Sequence, residues 1–82
     1  MYEELHPNGG EGRPELAELD RLTTAFRLLA DPGRLRLVVA LLEDRERPVG
    51  ELARVTSLPI TVASQQLRVL REAGVVRRRR RG

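Results

Sequence analysis

Glu51-Leu-Ala-Arg-Val-Thr-Ser-Leu-Pro-Ile-Thr-Val-Ala-Ser-Gln-Gln-Leu-Arg-Val-Leu70 decides the fold. Its pattern predicts a short helix over about 49–56, a turn at Ser57-Leu58-Pro59 and a second helix over about 59–73. On the second helix Ala63, Leu67 and Leu70 recur at spacings of four and three, which is one helical face. Thr61, Ser64, Gln65 and Arg68 fall on the other side. Gly74 follows at the position where a left-handed residue stops a helix. Val75 and Val76 then open an extended segment that runs into five arginines, Arg77 to Arg81. A helix able to lie in a DNA groove, followed by a cationic strand able to rest on phosphate, points to a DNA reader rather than an enzyme.

Upstream, residues 14–30 read as a first helix, with Pro14 in its first turn. Leu16, Leu19, Leu22, Phe26 and Leu29 recur at spacings of three, three, four and three. Asp31 suits an N-cap and Pro32 the first position of the next helix, expected over about 32–44. Leu35, Val38, Val39, Leu41 and Leu42 give that helix a wide apolar face, with Arg34 and Arg36 off its centre. Residues 43–48 read as a solvated connector, and Pro48 bars helix across the join. Residues 1–13 contain His6-Pro7-Asn8-Gly9-Gly10-Glu11-Gly12, show no period, and read as a disordered acidic tail.

Charge is laid out unevenly along the 82 residues, which form one domain. Residues 1–20 carry a net of −5, residues 21–53 a net of +1 and residues 54–82 a net of +7, for +3 overall. One end of the fold therefore presents a positive field to polyanions. All 15 basic residues are arginine, whose planar fork grips phosphate and guanine bidentately. There is no cysteine, so disulfides, thiolate metal sites and cysteine nucleophiles are excluded together. His6 is the single histidine; beside Glu3, Glu4 and Glu11 it is read as part of a solvated tail, not a metal site. No phosphate-cradling glycine loop and no catalytic constellation is present, and no cofactor is expected. No apolar run approaches the roughly 18 residues that span a bilayer, so the expected location is cytoplasmic. With only Tyr2 and Phe26 as aromatics, the core must be Leu, Val and Ala. A core this small buries only roughly 60% of the unfolded surface and often needs a second copy.

Three helices followed by a basic extended segment is the order of a winged helix, in which the second helix of a helix-turn-helix enters the major groove. Thr61 and Ser64 are short enough for close approach. Gln65 can pair with an adenine edge, and Arg68 or Arg71 with guanine or phosphate.

Leu28-Leu29-Ala30-Asp31-Pro32-Gly33-Arg34-Leu35-Arg36-Leu37, Pro48-Val49-Gly50-Glu51-Leu52-Ala53 and Ser64-Gln65-Gln66-Leu67-Arg68-Val69-Leu70-Arg71-Glu72-Ala73-Gly74-Val75-Val76 resemble the ArsR/SmtB family of bacterial winged helix-turn-helix repressors. The resemblance covers about residues 22–82, with all three motifs in order. It implies a mainly α fold of four helices and a β-wing, and a homodimer that represses by binding an inverted-repeat operator in double-stranded DNA. It implies DNA-facing roles for Ile60, Thr61, Ser64 and Gln65, with Arg68 flanking and Arg77, Arg78, Arg79, Arg80 and Arg81 as the wing. Arg71 joins this set from its own chemistry. Leu16, Leu19, Leu22 and Phe26 are then expected at the dimer seam, and the same stripe can serve as core.

Departures from the family pattern carry information too. The family's arsenic-binding cysteines fall where this chain has Arg47-Pro48-Val49-Gly50-Glu51, so that site is absent. Ser57 replaces a glycine common in the turn, and Gln66 stands where histidine is usual. Residues 14–82 reach only the turn of the wing hairpin, so the expected domain lacks the return strand and the fifth helix, which weakens the dimer. An unpaired wing strand exposes its hydrogen-bonding edge, and residues 77–82 are expected to be mobile without DNA. A competing reading keeps the winged-helix shape but uses the apolar first-helix face, Leu16, Leu19 and Phe26, to bind another protein.

Overall fold

The computed structural model describes residues 1–5 and 15–80. The elements run β1 (Tyr2–Leu5), α1 (Leu16–Leu28), α2 (Pro32–Glu43), β2 (Glu46–Pro48), α3 (Val49–Thr56), α4 (Ile60–Glu72) and β3 (Val76–Arg79). This is a mainly helical winged helix-turn-helix, as the sequence predicts, with a three-stranded antiparallel sheet in place of the expected lone wing strand.

The helices begin and end where local chemistry dictates. Asp31 caps α2, its carboxylate accepting from the Arg34 N–H at 3.0 Å, and Pro32 supplies the first helical residue. Helix α3 stops because Ser57 turns left-handed, at φ 57°. The Ser57 N–H then returns to the Arg54 carbonyl at 3.2 Å and the Leu58 N–H to the Ala53 carbonyl at 3.0 Å. Helix α4 ends in the same way. Gly74, at φ 75°, donates to Arg71 and Val75 donates to Leu70, at 3.0 and 2.9 Å.

Leu37, Val38, Ala40 and Leu41 of α2, Leu52 and Ala53 of α3, Ala63, Leu67 and Leu70 of α4, and Val76 of β3 form the core. Leu5, Leu29, Val49, Leu58 and Val75 pack around it. Helix α1 contributes no buried residue. Its stripe is therefore not core. Leu16, Leu19, Leu22 and Phe26 remain exposed, and Leu29, just past the helix, is the part of the stripe that reaches the centre. On α2 the wide apolar face is only half used, with Leu35, Val39 and Leu42 left on the surface.

Three expectations are corrected by the sheet. Tyr2–Leu5 is not part of a disordered tail; it is the central strand, in the order β2-β1-β3. Residues 46–48 are not a plain solvated connector but the strand β2. Strand β1 is antiparallel to both neighbours, pairing Tyr2, Glu3, Glu4 and Leu5 with Arg79, Arg78, Arg77 and Val76. Arg77, Arg78 and Arg79 lie in a paired strand rather than a mobile tail. The reason is chemical complementarity. Two carboxylates on β1 neutralise arginines that would otherwise repel one another along β3. Residues 6–14, with the His6 expectation and the start of the first predicted helix, and residues 81–82, with Arg81, lie outside the described residues.

Candidate nucleic-acid interface

Helix α4 is anchored by one side and open on the other. Ala63, Leu67 and Leu70 are fully buried. Opposite them Thr61, Ser64, Gln65 and Arg68 are exposed, and Ile60 is 53% exposed at the first position. The helical period thus divides the sequence-predicted readers from the core with no exception. No side chain caps the first turn of α4, so its leading N–H groups are available to solvent or to an anion. Arg68 pairs with Glu72 one turn on, at 3.2 Å, with both side chains largely exposed. An exposed pair of this kind is worth at most about 1 kcal/mol and yields readily to a stronger anion.

Gln66 is half-buried and faces inward, unlike its neighbour Gln65. Its Oε1 accepts from Arg34 Nη1 at 2.8 Å, and the same guanidinium donates through Nε to the Leu28 carbonyl at 2.7 Å. Arg34 therefore ties the last turn of α1 to the middle of α4. Arg34 lies off the centre of the apolar face of α2, and nothing in the local pattern indicates this long-range bond.

The wing arginines are held rather than free. Arg71 Nη1 donates to Glu3 at 2.6 Å, and Glu3 also lies 3.7 Å from Arg78. Glu4 takes a close ion pair from Arg77 and lies 3.6 Å from Arg79. Arg79 is shared with Glu46 at 3.3 Å. Neighbouring residues on a strand face opposite ways, so these are two separate clusters. Glu3 and Leu5 point with Val76 toward the core side. Tyr2 and Glu4 point with Arg77 and Arg79 the other way. The Arg77 hydrogen bond lowers the Glu4 carboxyl from its ordinary value, and the charges of Arg77 and Arg79 add to this against the opposing effect of burial. Arg80 is exposed beyond the end of β3.

Glu3 and Glu4 are the site residues that sequence reasoning missed. Tyr-Glu-Glu-Leu has no alternation that marks a strand. The available signal was the pairing of an acidic first block with a basic last one.

Among the described residues no group of three or more His, Cys, Asp or Glu is placed to hold a metal ion. No helix among them is long and apolar enough to cross a membrane.

A family model described as a helix-turn-helix domain matches residues 29–79. An HTH-type transcriptional regulator of Mycobacterium tuberculosis is 50% identical over 58 residues, covering 70% of this chain and 50% of the relative. A "Transcriptional repressor SmtB homolog" of Synechocystis is 40% identical over 73 residues, covering 85% of this chain and 54% of the relative. A "Biofilm growth-associated repressor" of Xylella fastidiosa is 41% identical over 61 residues, covering 74% and 53% respectively. The chain spans about half the length of these curated relatives. No solved structure matches it significantly.

Proposed function

The chain belongs to the helix-turn-helix domain family, in its ArsR/SmtB-like form, and on that basis we propose that it is a cytoplasmic DNA-binding transcriptional regulator, a repressor acting on an inverted-repeat operator. The observation that carries this reading is the division of α4. Ile60, Thr61, Ser64 and Gln65 form an open edge on a helix whose other side is locked into the core. In the major groove Thr61 and Ser64 permit close approach, Ile60 meets a thymine methyl, and Gln65 pairs with an adenine edge. Arg68 takes a flanking phosphate, and the wing arginines, from Arg77 onward, track the backbone beyond it. Arg71 joins them only when Glu3 releases it. Two copies bind two half-sites, joined through Leu16, Leu19, Leu22 and Phe26, an apolar row that is exposed among the described residues. The relatives named above are regulators and repressors, and none is named as a protein-docking module.

The test is selection of binding sites from random duplexes. A recovered palindrome is expected, with affinity falling as salt rises. Gln65→Ala is expected to reduce discrimination at one base by about 1–3 kcal/mol while leaving the thermal midpoint unchanged. Equal affinity for palindromic and scrambled duplexes removes the sequence-specific part of the proposal.

A further inference from the structure

We propose that Glu4 is an acidic clasp on the wing, occupying Arg77 and Arg79 until a nucleic-acid phosphate displaces it. The inference rests on the DNA-binding reading and adds a built-in competitor to it. Strand β1 is fixed from both sides, by β2 and by β3, so Glu4 is delivered in register opposite Arg77. Its carboxylate hydrogen-bonds the Arg77 guanidinium and lies 3.6 Å from that of Arg79. A guanidinium fork accepts a carboxylate or a phosphate in the same geometry, so the two anions exclude each other.

Both acidic residues of β1 are buried, and what separates them is the exposure of the arginines they hold. The Glu3 side chain is 4% exposed and is bonded to Arg71, itself 21% exposed, which makes that pair part of the frame. Arg77 and Arg79 are 44% and 57% exposed, so a phosphate can reach them where they stand. The face around Glu4 also holds Tyr2, Arg77, Arg79 and Glu46, and Glu46 is the register partner of Glu4 on β2. Two carboxylates therefore share Arg79, Glu4 at 3.6 Å and Glu46 at 3.3 Å, so loss of the Glu4 charge frees Arg77 more completely than Arg79.

The consequence is a regulator whose wing is partly neutralised in the free state, at Arg77 and Arg79. Arginines held by carboxylates contribute little to counterion release, so the wild-type salt dependence is shallow. Glu4→Gln keeps a hydrogen-bond acceptor for Arg77 and removes the charge. It is expected to bind duplex DNA about tenfold more tightly at low salt, with a salt slope steeper by about 0.9 for each arginine freed. Glu43→Gln removes the same charge at the end of α2, from a carboxylate that is not among those holding Arg77 or Arg79, and is expected to change affinity less than threefold with the slope unaltered. Indistinguishable curves for the two variants would overturn the clasp.

A measurement on the unsubstituted chain guards against misfolding of the variant. NMR titration of the Glu4 side chain should show its depressed pKa rising toward the ordinary value when duplex is added, because Arg77 has been taken. An unmoved Glu4 in the complex overturns the proposal. If no duplex binds either protein, the DNA-binding reading fails, and the clasp is read on heparin instead. Glu4→Gln should then elute at higher salt than Glu43→Gln, and coincident elution rejects it.

Discussion

Arg34 and Gln66 are hydrogen-bonded at 2.8 Å across thirty-two residues of chain, with the same guanidinium closed onto the Leu28 carbonyl at 2.7 Å. This one side chain connects the end of the apolar first helix to the inner side of the candidate recognition helix. Hydrogen bonds to a charged group are worth about 1.5–3 kcal/mol when partly buried. Arg34→Ala is expected to lower the free energy of unfolding by about 2 kcal/mol in urea denaturation. Gln66→Ala should cost less, because Arg34 keeps its bond to Leu28. Equal costs would mean that the Leu28 contact contributes nothing.

Much of the helical frame is legible in the sequence, because helix periods, caps and stops are local. Asp31-Pro32, the Ser57–Pro59 turn and Gly74 each act within a few residues of themselves, and the structure places the corresponding ends within one or two positions. The buried row Ala63, Leu67, Leu70 follows from spacing alone. The sheet is not legible in the same way. Tyr2–Leu5 becomes a strand only because Glu46–Pro48 and Val76–Arg79 lie on either side of it, and no four-residue pattern carries that information. The Arg34–Gln66 bond escapes for the same reason.

Ser57 and Gly74 occupy equivalent left-handed positions at the ends of α3 and α4, at φ 57° and 75°. An L residue there carries a backbone cost of about 1–2 kcal/mol, partly offset by a smaller loss of unfolded-state entropy than glycine incurs. Ser57→Gly is expected to stabilise the fold by about 0.5 kcal/mol. Gly74→Ala should destabilise it by about 1 kcal/mol. Beyond the adjoining residues nothing lies within 4 Å of a Cβ at Gly74, so the cost comes from the local backbone torsion and not from packing. Thermal midpoints moving in opposite directions would confirm the pair.

Arg71 and Glu3 form the most buried ion pair of the sheet, at 2.6 Å. Removing Arg71 leaves the buried Glu3 carboxylate with only the longer, more exposed contact to Arg78 at 3.7 Å, at a cost of about 2–3 kcal/mol. Arg71→Ala is expected to show this loss in chemical denaturation, whereas Arg68→Ala, which breaks only an exposed pair, should change stability by less than about 1 kcal/mol. Comparable losses in the two variants would refute the assignment of Arg71 to the frame.

Glu4 gives the fold an acid-sensitive component. Its folded pKa lies below the ordinary 4.5, so the unfolded chain takes up a proton first as pH falls. Its stabilising contribution is complete above that ordinary value and is lost as pH drops through the depressed one. Thermal melts recorded at descending pH should fall less steeply for Glu4→Gln than for wild type in the acid range. The two should run parallel near neutrality.

Phe26 is 69% exposed on a helix that buries nothing of its own, and it lies on the row assigned to the seam between copies. Phe26→Glu is expected to shift sedimentation toward the monomer and to weaken palindrome binding. Half-site binding should remain. A wild-type chain that sediments as a monomer at concentrations saturating its operator would refute this role for the row.

The central place of Tyr2–Leu5 also bears on how the molecule assembles. Glu4 and Arg77 are separated by 73 residues, so the sheet closes a loop nearly as long as the chain. Closure entropy grows with loop length, and contacts of this span form late in folding. The helix-turn-helix, whose stops and packing are near neighbours in sequence, can therefore reach its final shape first, and the wing is zipped shut onto it as the finishing step.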